Sequence, residues 1–453
     1  MKSKLLALCM MIVALIVTTG RPAAIFAADA TPTPATNAAR EAAQALALKL
    51  VGGKAIGGTV SMMGVNGGAY GDLFLSVFKP FEDATGIKID YEGTQDLDTV
   101  LQTRVDSGNP PDIIVSPSVG NLLSYAHNGK LVDLGQFMDV SAMKDSYGAD
   151  LLSTFTIDGK LYGFFETASL EGLIWYNAKQ YKGPNTPKDW AELEDWAAKT
   201  ASSGMTPWCI GLESGANSGW PATNWITEIL LRQAGPEKYD QWWQGKLAWT
   251  SPEVKAAFQT YGKIATDPKL VYGGATAVLA TSFANGGDGL FSSPPNCYLH
   301  HQASFFGSIA GGNFPKLKPI DDIDFFAAPD FNTNYAGMFQ ISGDAMVMFN
   351  DTPQARAFIT YAASVEAQTL LAATGGWLSP NKKLTTSVYP DPYLRKAAQV
   401  ITDAKSVRVD GSLLMPGPMI SAYLKAATRY VQNPDQLDSI LSDLDAVQKD
   451  AYK

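Results

Sequence analysis

Three short runs within one stretch of the chain decide the fold: Thr59-Val-Ser-Met-Met-Gly-Val65, Ile87-Lys-Ile-Asp-Tyr91 and Asp112-Ile-Ile-Val-Ser116. Their apolar character and length predict three strands. Apolar residues also recur at helical spacing in the two segments between these runs, at Phe74, Val77, Phe78 and Phe81 and again at Leu97, Val100, Leu101 and Val105. Strands separated by amphipathic helices predict βαβ units and a parallel sheet.

The predicted sheet brings three loops to one side. Ligands of open parallel sheets bind beyond the carboxyl ends of the strands. The loops at residues 66–70, 93–96 and 116–118 are therefore expected to face one crevice. Tyr70, Gln95, Asp96 and Ser116 become candidates for ligand contact, although Asp96 also suits the N-cap of the helix that follows it.

The composition of the chain changes near residue 170. After the apolar run Leu173-Ile-Trp-Tyr-Asn177, Trp-rich and Gly-rich loops lie between predicted helices. A chain of 453 residues is also long enough to form more than one core. The sequence therefore predicts an α/β protein with a second lobe that begins near this run.

Charge and composition exclude several classes of protein. The chain carries 35 Lys and Arg residues against 44 Asp and Glu residues, a net charge of -9, so nucleic acid is a poor partner. With three His and three Cys residues it has little material for a transition-metal site, and we expect no metal and no cofactor. The hydrophobic fraction of 46% excludes intrinsic disorder.

The N-terminal residues predict export. Lys2 and Lys4 precede an apolar run at residues 5–17, and small residues follow near Ala28, so residues 1–27 are interpreted as a secretory signal peptide. Cys9 lies inside the apolar run, which does not suit a lipid attachment site. Residues 28–57 are interpreted as a flexible Ala-, Thr- and Pro-rich tether, with a short helix possible at residues 41–50. The mature protein is expected in the periplasm or on the extracellular cell surface.

Two cysteines remain after the predicted signal peptide. Cys209 and Cys297 are the only possible pair, and an exported chain meets oxidising conditions, so we predict a disulfide. The alternative is two buried free thiols.

Motifs typical of enzymes are absent from the sequence. It contains no GxSxG, no GxxxxGK[ST], no HExxH and no CxxC. The segment from Asp330 to Asn334 is similar to a calcium loop, but Gly337 is displaced from the required position, so a plain turn is the better interpretation. His300 and His301 are adjacent and should point to different sides of a strand, which favours structural roles.

Seven segments, taken in order, resemble the extracellular solute-binding proteins of ABC importers, in the branch that serves α-glucosides and maltose-type sugars. They are Phe78-Lys-Pro-Phe-Glu-Asp-Ala-Thr-Gly-Ile-Lys-Ile89, Asn109-Pro-Pro-Asp-Ile113, Gly129-Lys-Leu-Val-Asp-Leu134, Leu173-Ile-Trp-Tyr-Asn177, Gly215-Ala-Asn-Ser-Gly-Trp-Pro-Ala-Thr-Asn-Trp225, Cys297-Tyr-Leu-His-His-Gln302 and Gly375-Gly-Trp-Leu-Ser-Pro-Asn381.

The resemblance implies a two-lobed, periplasmic-binding-protein-like fold with hinge strands and a ligand cleft between the lobes. The first lobe would comprise residues 58–168 and 330–376, and the second residues 169–329 and 377–453. Crossings are expected near residues 167–173, 326–329 and 376–380. The family implies no enzymatic activity, a monomer, and delivery of a bound sugar to a membrane permease.

A sugar site needs aromatic faces for the C–H side of a pyranose and paired polar groups for its hydroxyls. The resemblance places sugar contacts in the Gly375-Gly376-Trp377 turn. Trp220 lies in a polar, Gly-rich loop, and no helical or strand periodicity explains it as a core residue. The complete set of predicted ligand residues is Tyr70, Gln95, Asp96, Ser116, Glu166, Glu171, Tyr176, Glu213, Trp220, Tyr298, Asp344, Gly376 and Trp377. At position 95 relatives often carry Arg instead of Gln.

Two other functions stay open at this point. A secreted glycoside hydrolase could use two of Glu166, Glu171 and Glu213 as its acid and its nucleophile or base. A binding protein of the same architecture could instead take a peptide, a polyamine or an anion.

Overall fold

A computed structural model describes residues 34–94 and 96–453 of the chain. In these residues the strands, in chain order, are β1 (Gly58–Gly64), β2 (Ile87–Gly93), β3 (Ile113–Ser116), β4 (Thr156–Ile157), β5 (Lys160–Leu161), β6 (Gly163–Phe165), β7 (Ser169–Leu170), β8 (Leu173–Asn177), β9 (Trp208–Cys209), β10 (Leu299–Gln302), β11 (Ile323–Ala327), β12 (Met338–Ser342), β13 (Ala345–Met348) and β14 (Ser406–Val409).

The helices over the same residues are α1 (Pro34–Leu50), α2 (Gly68–Ser76), α3 (Lys79–Thr85), α4 (Leu97–Asp106), α5 (Val119–His127), α6 (Val140–Tyr147), α7 (Ala149–Ser153), α8 (Trp190–Ser202), α9 (Trp220–Ala234), α10 (Pro236–Trp243), α11 (Pro252–Ala265), α12 (Gly274–Ala280), α13 (Phe306–Asn313), α14 (Pro353–Ala362), α15 (Val365–Ala373), α16 (Pro392–Asp403), α17 (Gly411–Leu414), α18 (Gly417–Gln432) and α19 (Leu437–Ala451). None of these helices combines the length and the hydropathy that crossing a bilayer requires.

The first sheet has the strand order β2-β1-β3-β13-β6. β1 pairs in parallel with both β2 and β3, which confirms the βαβ units predicted for residues 59–116. β13 and β6 pair antiparallel on the other side of β3, so the chain returns to this sheet after residue 344. Buried apolar side chains cover it, among them Val60, Met62, Ile113 and Ile114.

The second sheet has the order β11-β8-β10-β9 and a separate aromatic core. Cys209 in β9 and Cys297 before β10 form the predicted disulfide, with their Cα atoms 5.6 Å apart. The bond closes 88 residues of chain, which in the simple chain-entropy view stabilises the fold by about 4–5 kcal/mol. It lies beside the strands that carry the core of this part of the molecule.

The segments predicted to cross between the lobes hydrogen-bond to one another. β7, β12 and β14 form a three-stranded sheet, which we call the hinge sheet. Ala168 exchanges backbone hydrogen bonds with Leu378, at 2.8 and 3.2 Å, and Ala328 N donates to Gly172 O at 2.7 Å. The described structure thus has two large sheets with the hinge sheet between them in the chain, besides a two-stranded sheet of β4 and β5. The lobe boundaries at residues 168, 329 and 376 stay a prediction.

The N-terminal segment differs from the predicted flexible tether. Helix α1 covers Pro34–Leu50, and Ala43 and Ala47 on one face are fully buried against α3, α14 and α15. Each alanine buries little apolar area. A stripe of alanines at helical spacing nevertheless lets a helix pack closely against its neighbours, which explains why this segment is ordered. The flexible-tether interpretation is therefore wrong for residues 34–40, and the short helix expected at residues 41–50 is present as part of a longer helix. The predicted signal peptide (1–27), Cys9 and residues 28–33 lie outside the described residues.

Candidate functional site

An aromatic pair lies where the third crossing segment meets the first sheet. Tyr70 in α2 and Trp377 have ring centroids 4.4 Å apart, and Phe74 lies 5.7 Å from Trp377 on the core side. The hydroxyl of Tyr70 donates to Gly376 O at 3.4 Å. Trp377 is 5% exposed whereas Tyr70 is only partly buried, so Tyr70 offers most of the accessible ring surface of this pair.

Two neighbouring carboxyl groups lie at the edge of the hinge, and one of them, Asp344, is close enough for its charge to act on Tyr70. Asp344 precedes β13, and its carboxyl accepts a hydrogen bond from Thr167 Oγ1 at 3.3 Å. Burial raises the pKa of Asp344 to about 6. Glu166 is 0% exposed, and neither of its carboxyl oxygens has a hydrogen-bond partner within the described chain. Burial, followed by the charge of Asp344, raises the pKa of Glu166 well above its usual value and favours the neutral acid.

A second aromatic cluster lies in the other half of the molecule. Trp220 is the first residue of α9, and its ring centroid lies 5.2 Å from that of Phe283 and 6.0 Å from that of Phe305. All three side chains are partly exposed. Gly219 enters this helix with φ 102°, and a Cβ there would lie 2.6 Å from Leu424 O, so the turn that presents Trp220 requires glycine.

Phe283 and Phe305 were missed by the sequence reasoning. Each lies in an irregular segment without helical or strand periodicity, so pattern analysis gave no reason to select them. Glu213, which was selected, is exposed beside this cluster: its backbone carbonyl accepts from Phe283 N at 3.0 Å. Trp220 was expected in a loop and instead begins a helix.

A hydrogen bond links the segments that carry the two aromatic groups. Ser308 Oγ donates to Gly375 O at 3.5 Å. Ser308 is three residues after Phe305, and Gly375 is two residues before Trp377. This contact joins the helix that follows Phe305 to the turn that precedes Trp377.

The remaining predicted residues have varied surroundings. Ser116 is buried at the end of β3, opposite Ala345, which follows Asp344. Asp96 is exposed at the start of α4, where its side chain makes no cap hydrogen bond. Gln95 lies outside the described residues.

Two predicted residues are not brought to either aromatic group by the contacts described. Tyr176 is buried on β8 against Tyr181 and Phe326. Tyr298 lies beside Met205, with its hydroxyl 2.8 Å from the Met205 sulfur. Both belong to the second sheet and its surroundings, so their assignment to the ligand site stays a prediction without support from these contacts.

A buried ion network lies behind the hinge. Glu228 in α9 pairs with Arg232 at 2.7 Å and with His301 Nε2 at 2.7 Å, and the His301 ring stacks on Trp225. A Cβ on Gly172 would lie 2.2 Å from Glu228 Oε1, so the first crossing segment needs glycine to pass this network. The His301 side chain thus has a hydrogen-bonding and packing role, as expected.

Two cavities in the described structure lie away from both aromatic groups. The larger, of about 660 Å³, is lined mainly by α8, α11 and Trp208. The smaller, of about 440 Å³, lies beside Asp189 and Phe331. Neither is lined by any of the predicted ligand residues.

Comparison with known proteins gives consistent matches. A family model described as bacterial extracellular solute-binding protein matches residues 66–369. The osmoprotective compounds-binding protein GgtB of Synechocystis sp. is 36% identical over 360 residues, which cover 79% of this chain and 85% of that protein. The alpha-glucosides-binding periplasmic protein AglE of Rhizobium meliloti is 35% identical over 373 residues, covering 80% of each chain.

Solved structures match over most of their length. A chitin oligosaccharide binding protein superposes with a TM-score of 0.73 at 20% identity, covering 88% of this chain and 99% of the other. The solute-binding protein RafE in complex with raffinose gives a TM-score of 0.67 at 17% identity, covering 87% and 100%. At these identities the likeness shows that the chain has the two-domain fold of these proteins.

Proposed function

This chain belongs to the bacterial extracellular solute-binding protein family, and from that membership we propose that it binds an α-glucoside or a related oligosaccharide outside the cytoplasm and delivers it to the membrane permease of an ABC importer. The family consists of receptors and not of enzymes, so the glycoside hydrolase alternative is set aside. One chain supplies both aromatic groups, which supports a monomer as the working unit.

The observation that carries the proposal is the pair of aromatic groups. Tyr70 and Trp377 pack with the core of the first sheet, whereas α9, which begins at Trp220, packs in the core of the second sheet. Aromatic rings pack against the C–H faces of pyranoses, and the hinge carboxyl of Asp344 can accept hydrogen bonds from hydroxyls. A ligand that touches both groups would favour the closed arrangement of the lobes, because it gains both contacts only there.

The relatives narrow the choice of sugar. AglE is named for α-glucosides, and GgtB for osmoprotective compounds. Calorimetric titration with trehalose, maltose and maltotriose should show binding to at least one at micromolar concentration. Spermidine, a tripeptide and phosphate serve as controls. Binding of spermidine, the tripeptide or phosphate, with no binding of any of the three sugars, would overturn the proposal in favour of a non-sugar solute.

A further inference from the structure

A close contact joins the start of α5 to the residues that follow α17. A Cβ on Gly120, near the start of α5, would lie 1.8 Å from Met415 O. From the other side, a Cβ on Gly417 would lie 2.4 Å from Asn121 Oδ1. Neither glycine has a positive φ, so the backbone conformation does not require glycine at either position. The requirement comes from the close approach of the two segments.

The α5 side of this contact is fixed to the first sheet. α5 follows β3, and both Val119 and Leu122 are buried in the core of that sheet. The start of α5 is also tied to the end of β3, because Ser118 N donates to Ser116 Oγ at 3.1 Å. Ser116 is a predicted ligand residue, so the contact adjoins one of the segments that are expected to face the sugar.

The α17 side of the contact is fixed to the second sheet. Tyr239 lies in α10 and is buried in the core of that sheet. Its hydroxyl donates to Val409 O at 2.7 Å and accepts from Gly411 N at 2.6 Å, so it holds the start of α17. Met415, just after α17, is fully buried in the same core. Gly120 and Met415 therefore bring together elements that are anchored to different sheets.

The contact is steric in character. Met415 O is a main-chain atom, so it cannot rotate away as the end of a long side chain can. In the part of the chain that the structure describes, no hydrogen bond joins α5 to residues 411–417. Surfaces that touch closely without bonding to each other can separate and meet again when two halves of a molecule move.

We propose that the contact between Gly120 and Met415 is a stop for closure of the lobes, and that it sets how closely the two aromatic groups approach a bound sugar. The proposal rests on the proposed sugar-binding function and deepens it. In the open arrangement the two segments are apart, and a methyl group at position 120 has room. In the closed arrangement that methyl group meets Met415 O and keeps the lobes from shutting fully, which disfavours the state that holds the sugar.

The test compares Gly120→Ala with the wild type, each as the full chain. Calorimetric titration with the tightest-binding of trehalose, maltose and maltotriose should give a Kd that is about tenfold higher in the variant, because the closed arrangement is less populated. Small-angle X-ray scattering should show that the wild type contracts when this sugar is added and that the variant contracts less. Without sugar, the urea midpoint of the variant should be no lower than that of the wild type, since alanine suits a helix better than glycine.

Gly262→Ala is the matched control for this variant. Gly262 also lies in a helix, α11, and a Cβ there would lie 2.1 Å from Tyr430 Oη. Its neighbours in α11 and Tyr430 all belong to the core of the second sheet, so movement of the lobes does not relieve this clash. Gly262→Ala should therefore unfold at a lower urea concentration than the wild type and bind the sugar with an unchanged Kd.

The possible results separate the closure stop from the proposed function. An unchanged Kd in Gly120→Ala overturns the stop while sugar binding stands. A urea midpoint that falls in Gly120→Ala as it does in Gly262→Ala also overturns the stop, because the contact is then permanent packing that exists without sugar. If the wild type binds none of the three sugars, the proposed function fails, and the stop fails with it.

Discussion

Trp220→Ala tests whether this side chain contacts the sugar, because its effect on sugar affinity can be measured separately from its effect on stability. Trp220 is partly exposed, and its ring packs edge-on against Phe283 and obliquely against Phe305. Each such aromatic contact is worth about 0.5–1.5 kcal/mol beyond the area that it buries, so loss of the two contacts alone should lower the free energy of unfolding by about 1–3 kcal/mol. Removal of a central aromatic from a binding site typically loses about 2 kcal/mol of binding free energy, or about 30-fold in Kd.

The chain offers a matched control for this variant. Trp196 is also partly exposed and also packs against two aromatic rings, those of Tyr181 and Tyr298, but it lies in α8. Trp196→Ala should lose a similar amount of stability without changing the Kd measured by calorimetry, whereas Trp220→Phe should keep most of the affinity. Equal sugar affinity in Trp220→Ala and the wild type, or an equal loss of affinity in Trp196→Ala, would show that Trp220 makes no specific contact with the sugar.

Three further changes test other parts of the structure. Trp377→Ala removes a ring that is nearly buried, so it should lower the free energy of unfolding by about 3–5 kcal/mol and also weaken sugar binding. A loss below about 1 kcal/mol, measured by urea unfolding, would contradict the packing described. Replacement of Cys209 and Cys297 by serine should lower the unfolding free energy by up to about 4–5 kcal/mol, which reduction of the wild type should reproduce. Gly172→Ala introduces a Cβ at φ 71°, 2.2 Å from Glu228 Oε1, and should lower the melting temperature measured by calorimetry; an unchanged melting temperature would show that the hinge yields easily.

The parts of the fold that the sequence predicts well are those with a strong local pattern. Alternation between short apolar runs and helical periodicity over residues 59–116 correctly gave parallel strands. The pairing of Cys209 with Cys297 followed from the number of cysteines and the expected compartment, with no alternative partner after the predicted signal peptide. The helix expected at residues 41–50 begins at Pro34, and the burial of its alanine face could not be predicted, because that burial depends on a surface elsewhere in the chain.

The candidate site was harder to predict, because a sequence pattern marks only some of its residues. Trp220 stood out as an unexplained aromatic, whereas Phe283 and Phe305 gain their significance only from proximity to it. Glu166 and Glu171 were read as candidate ligand contacts, and the structure buries both in the hinge. A sequence gives no sign that a carboxyl will be sealed beside other acids, since lone Glu residues are usually solvated.

A crystal structure with the best-binding α-glucoside tests the central claim most directly. We expect one sugar between Tyr70 and Trp377 on one side and the Trp220 cluster on the other, with both halves in contact with it. A sugar bound to one half alone, or in the cavity beside Trp208, would show that the two aromatic groups do not form one site.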